Sequence, residues 1–237
     1  MTARRSFLAR LGAAAAAFGL GSTKAFAEGP VDAGSAKASA ERPLDAQEAP
    51  AKVDRADTRW QPVRHANDDW LDQLGGKHRL FFDMISPQGV RQVQGYIRNY
   101  FDGHKSGYGL EGTDLAVVMC LRHRATQFAF TDVIWAKYGK ALSESDEFTD
   151  PKTGVAPVVN VFKTELETQV KRGLHFAVCN MSTHRLARFI AQKIDGNEES
   201  LYKELTTNAI ANAHFVPAGI IAVNHAQERG YSIAYVG

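Results

Sequence analysis

The sequence predicts an α/β domain built on a mostly parallel sheet, and three observations carry that prediction. Short apolar runs alternate with amphipathic helical stretches over residues 65–237, the pattern of strands joined by crossover helices. The run Asp114–His123 is almost continuously apolar, as expected of a strand covered on both faces. The composition, 44% hydrophobic and 23% charged, is that of a globular chain and excludes a collagen-like, wholly disordered or disulfide-scaffold protein. Residues 65–237 are enough for one full hydrophobic core.

The elements follow in order. Asp68–Leu74 is a short helix stopped by Gly75-Gly76. Arg79–Ile85 is the first strand. Ser86-Pro87 then supplies an N-cap and a proline at the first helical position. That helix runs to about Asp102, with Val90, Val93, Ile97, Tyr100 and Phe101 on one face. Asp114–His123 is the second strand. Phe128–Tyr138 is aromatic-rich and helical, and Ser143–Val155 is a polar loop. A helix from about Val161 ends at Lys171-Arg172-Gly173, basic in its last turn with a glycine stop. Leu174–Cys179 is a strand, and Ser182 or Thr183 caps the helix after it. Glu198–Ile210 is helical, His214–Val216 is a short strand, Ala218–Arg229 is a helix, and Tyr231–Val236 is the last strand.

The N-terminal region reads differently. Met1–Ala27 has Arg4-Arg5 before Ser6-Phe7-Leu8, an apolar run Leu11–Leu20, and Ala25-Phe26-Ala27. This resembles a bacterial twin-arginine export signal with a small-x-small cleavage site. The apolar run is too short for a stable span, which needs about 20 residues. Residues 28–64 have few large apolar side chains and form a polar tether that cannot offset its ordering entropy. Cleavage after Ala27 removes four basic residues and leaves 24 basic against 26 acidic side chains, a mature charge of −2. Neither that nor the precursor's +2 argues for a nucleic-acid partner. The mature chain is expected to be exported, periplasmic, and without a stable membrane span.

Ligands of open α/β sheets collect at the carboxyl ends of the strands. Those ends supply Asp83 and Ser86, Arg122 and His123, Cys179 and Asn180, and Pro217 to Gly219. Cys179 closes a strand just before a helix, where free amides and the positive helix end favour a thiolate nucleophile; the alternative is a cysteine that fills a gap in the core. His123 is a general base, a ligand or partner for Cys179, or a histidine hydrogen-bonded at a strand end. Asp83 is an acid/base or caps donors near Ser86. Cys120 is a core residue, and its offset from Cys179 is too long for a disulfide. Eight histidines raise metal or haem binding through His123, but neither H-E-x-x-H nor C-x-x-C is present. The stretch Gly107 to Gly112 fits G-x-G-x-x-G, yet it follows a helix and precedes a strand, the reverse of the dinucleotide-binding context. No cofactor and no metal ligand set is expected.

Lys171-Arg172-Gly173 with Leu174–Cys179, then Val216-Pro217-Ala218-Gly219 with Ile220-Ile221-Ala222-Val223, then Gln227-Glu228-Arg229-Gly230-Tyr231, stand in order. They resemble the C-terminal half of the DsrE/DsrF-like family, over about His78 to Gly237. The resemblance implies a three-layer α/β/α domain with a five-stranded sheet, assembled as trimers or hexamers. It implies a persulfide-carrying cysteine at the position of Cys179, with a sulfur donor and acceptor as partners. The segment 126–173 is longer than the usual family core, and sulfur-relay members resemble cytoplasmic proteins rather than exported ones. The expected function is therefore binding or relay of persulfide sulfur through Cys179, its thiolate tuned by His123 and the following helix, with Asp83, Arg122, Asn180, Pro217 and Gly219 as binding residues around them. The alternative is an oligomeric binding or assembly module whose pocket is lined by Phe128, Phe130, Trp135 and Tyr138.

Overall fold

A computed structural model describes residues 60–237. The expected export signal, 1–27, and the tether up to residue 59 lie outside the described residues. The last tether residues, Trp60–Arg64, have no regular secondary structure.

The elements in chain order are α1 (Trp70–Gln73), β1 (His78–Met84), α2 (Pro87–Tyr108), β2 (Leu115–Leu121), α3 (Asp132–Asp146), α4 (Lys163–Val170), β3 (Leu174–Cys179), α5 (Asn180–Ile194), α6 (Glu198–Thr207), β4 (Ala213–Val216), α7 (Gly219–Glu228) and β5 (Ser232–Val236). The five strands form one sheet in the order β4-β3-β2-β1-β5, and every pairing is parallel. The chain walks outward from β1 to β4, then crosses back to place β5 on the other side of β1.

Period-two alternation sorts the strand side chains into two layers. Phe82, Met84, Val117, Met119, Leu121, Phe176 and Val178 face one way and pack with α2 to α6. Phe81, Ala116, Val118, Cys120 and Ala177 face the other way, against α1 and α7. The fold is thus three-layered, α/β/α. The strand residues under α7 include Ala116, Cys120 and Ala177, small side chains that let a single helix lie close.

Several boundaries differ from expectation, each for a local reason. α2 continues past Asp102 to Tyr108 and stops at Gly109, whose φ of 65° provides the left-handed cap. The G-x-G-x-x-G match is thus the end of a helix and its cap. β2 ends at Leu121, because His123 has a φ of 51° and begins a 3₁₀ helix over His123–Ala129. The aromatic stretch is therefore not one helix: it breaks at Phe130-Thr131, where Phe130 bridges Ala209 and Thr131 N–H donates to the Asn208 carbonyl at 2.9 Å. α3 then extends to Asp146, into the stretch expected to be loop. α5 starts at Asn180 with Cys179 as its N-cap, so neither Ser182 nor Thr183 caps it.

Candidate functional site at the carboxyl edge

Strand register assembles the candidate site. Asp83 pairs with Cys120 and Tyr235, Cys120 with Ala177, and Ala177 with His214. These five residues form one row across the face beneath α7. The next row toward the carboxyl edge continues the β2–β3 register from Leu121–Val178 to set Arg122 beside Cys179, and Cys179 pairs with Val216.

Asp83 and Arg122 form a two-pronged ion pair, with Arg122 Nε at 2.6 Å from Oδ1 and Nη2 at 2.8 Å from Oδ2. Asp83 is buried, so its carboxylate is committed to this pair and caps no backbone donor. Hydrogen bonding to Asp83, opposed by burial, leaves the Arg122 guanidinium above its ordinary value. The pair holds the Arg122 stem flat against the start of α7. Gly219 makes that approach possible: a Cβ there would sit 2.7 Å from Arg122 Cβ and 3.1 Å from Cys120 Sγ.

Cys179 is 6% exposed and Cys120 0%, and both are free thiols. They lie on the same face, with Cys179 two residues beyond the partner of Cys120. At about 3.3 Å per residue plus the strand spacing, that is a separation of about 8 Å, beyond disulfide reach. Burial pushes the Cys120 thiol well above its ordinary value, and Asp83 and Cys179 push the same way. Cys120 is thereby kept protonated, with only a long 3.8 Å contact to the Gly219 carbonyl. It is a core residue.

The surroundings of Cys179 are backbone-rich. It is the N-cap of α5, and no side chain caps that helix. α7, which starts at Gly219 three residues beyond Val216, also has no side-chain cap. By contrast, Ser86 caps α2 and Asn197 caps α6. Two helix starts near Cys179 therefore lack the acceptor that a capping side chain would provide to their first-turn amides. Such donors, with the positive helix ends, favour a bound anion.

The other expected residues are placed as follows. Asn180 has its Oδ1 occupied by the Tyr202 hydroxyl at 2.8 Å, and the Tyr202 ring stacks on His184 at 3.9 Å. Pro217 is exposed in the turn between Val216 and Gly219. His123 is exposed and is tied to the site through its backbone: its N–H donates to Ser182 Oγ at 3.1 Å. Thr183 donates to the Cys179 carbonyl at 3.0 Å, which fixes the strand-to-helix corner. The structure thus gathers Asp83, Arg122, Cys179 and Gly219, and turns His123 outward beside them.

Sequence reading missed His175 and His214. His175 Nδ1 and His214 Nε2 are 3.1 Å apart, and Trp70 stacks on His214 at 4.0 Å. Burial lowers both imidazoles; with His175 beside it as well, His214 falls to about 4. Each histidine shares the parity of the α7-face residues of its strand, Ala177 and Val216, and so lies on that face; their contact with each other depends on the register of β3 and β4.

The aromatic segment does not line an open pocket as a group. Phe128, Phe130 and Trp135 are buried in the core, with Phe128 packed on Trp135, Phe148 and Phe162. Among the described residues, no three His, Cys, Asp or Glu side chains converge as a metal site, and no helix is long and apolar enough to cross a membrane. Comparison with family models and with curated protein sequences finds no match to this chain.

Proposed function

We propose that this chain is an exported DsrE/DsrF-like protein that accepts and passes on sulfane sulfur through Cys179. The observation that carries the reading is the setting of Cys179. It is the cysteine at the carboxyl edge of the sheet, it occupies the N-cap position of α5, and it has the uncapped start of α7 and the Arg122 stem beside it. The step needs no cofactor. The Cys179 thiolate attacks the outer sulfur of a donor persulfide, R–S–SH. The donor S–S bond breaks, R–S⁻ leaves, and Cys179 becomes a persulfide, with no net oxidation. The helix-start amides hold the anionic sulfur before and after transfer. Cys120, protonated and sealed, stays out of the reaction.

The resemblance supports assembly of several copies as trimers or hexamers. Ile220 and Ile221 on the outer side of α7, 60% and 40% exposed, are compatible with such an interface.

Incubation with glutathione persulfide should add about 32 Da, the mass of one sulfur, to the intact chain. Cys179→Ala should abolish the adduct and Cys120→Ala should preserve it. Equal labelling of the Cys179→Ala variant, or none of the native chain, would remove the basis for the proposal.

A further inference from the structure

A cavity of about 370 Å³ lies between the start of α3, the length of α4 and the turn before β4. Its wall includes Phe130, Val133, Leu166, Val170 and Ile210. Lys171 precedes β3 and Ala211 precedes β4, so the cavity is at the amino end of the sheet, opposite Cys179. The long 126–173 segment builds most of it, and the proposed sulfur chemistry does not use it.

The cavity is preformed. Asn160, buried in its wall, donates to the carbonyls of Phe128 and Phe130 at 2.9 and 3.0 Å and accepts from Phe162 N–H at 3.1 Å. Its own N–H donates to Asp132 at 2.8 Å. Across the floor, Ile210 N–H donates to the Ala129 carbonyl at 2.9 Å. A site held open this way loses little freedom when filled.

The rim decides the charge of the occupant. Asp132 is paired with Lys163 at 2.8 Å. Glu167 on α4 and Lys171 just past its end also line the cavity. Two cations and two anions leave no net charge for an ionic ligand to neutralise. The volume is at the small end of ligand sites, which run about 300–1,000 Å³ and are mostly apolar.

We propose that this cavity binds a small uncharged molecule, an aromatic or branched aliphatic body whose one polar group meets the buried, unpartnered Thr131 hydroxyl in the wall. The test uses 2-naphthol and its charged counterpart 2-naphthoate as probes, titrated by calorimetry into the full chain at neutral pH. The native protein should bind 2-naphthol, and 2-naphthoate should bind at least about tenfold more weakly. Ala211→Trp and Val170→Phe, which fill the cavity from the turn before β4 and from α4, should each weaken 2-naphthol binding by about tenfold or more. Both variants are checked for an unchanged thermal midpoint, and if one fails to fold the other decides. Cys179→Ala should bind 2-naphthol like the native chain. Absence of 2-naphthol binding, equal affinity for the two probes, or full binding by a folded cavity-filled variant would each overturn the proposal.

Discussion

Asp83 and Arg122 show how one pair of side chains decides the shape of the carboxyl edge. Both are largely withdrawn from water, with side-chain exposures of 6% and 15%. Removing one charge strands the other, which costs about 3 kcal/mol in buried pairs. Asp83→Asn should therefore lower the urea midpoint by a corresponding amount while Met119→Leu, a volume-conserving change in the same layer of strands, shifts it by less. His214 gives a pH signature. Its folded value, about 4, lies below its ordinary 6.5, so the unfolded chain takes up the proton first. Stability from this residue is complete above about pH 6.5 and is lost as pH falls toward 4. Relative to His214→Gln, the native protein should thus weaken over that window, by about 1 kcal/mol once screening of the half-exposed ring is allowed for. Denaturation curves at pH 7 and pH 4.5 check both sign and size. Cys179 was legible from sequence because a strand end and a helix start are both local signals. The His175–His214 contact was not, because it depends on the register of two strands 39 residues apart.

At the level of elements, what the sequence carried was hydrophobic period and cap chemistry. Leu174–Cys179 was expected and found over the same residues, since an apolar run bounded by a glycine and a helix start leaves little freedom. Ser86-Pro87 opened α2 as expected, with Gly89 N–H donating to Ser86 Oγ at 3.0 Å. The far end of α2 lies past the expected Asp102, because the helix tolerates Gly103 and Gly107 and yields only at Gly109. The cap of α5 was misplaced for a different reason. Ser182 and Thr183 are good capping residues, but their hydroxyls bond to His123 N–H and the Cys179 carbonyl. The approach of α7 to the sheet is the element-scale feature most open to test. Gly219→Ala would drive a methyl into Arg122 and Cys120, and overpacking of this kind costs about 1–3 kcal/mol. The variant should lose stability by that amount, and its Cys120 thiol should react faster with a small alkylating agent as α7 lifts.

The whole molecule is unequal in its two outer layers. Five helices cover one face of the sheet, while α7 and the short α1 cover the other. The thin layer leans on a few anchors. Leu71 is fully buried, the Tyr231 hydroxyl donates to the Leu71 carbonyl at 2.7 Å, and Asp68 holds His225 at 2.6 Å. Leu71→Ala should cost about 2–5 kcal/mol, read from the thermal midpoint, a large share for a layer with so few contacts. The α/β class with a mostly parallel sheet was anticipated from the alternation of strands and helices, and its three layers from the family resemblance alone. The inequality was not, since no local pattern states which side a crossover helix takes.

The return of the chain from β4 to β5 has a consequence for how the molecule comes into being. β5 pairs with β1 along Leu80–Ser232 to Met84–Val236, so the first strand waits for a neighbour that follows it by some 150 residues. Until that neighbour arrives, one side of β1 is an open row of amides and carbonyls, the kind of edge to which other chains adhere. Contacts so distant along the chain also form slowly. The vulnerable period of this protein is therefore its synthesis, and its last strand works as a clasp that closes only when everything between has been made.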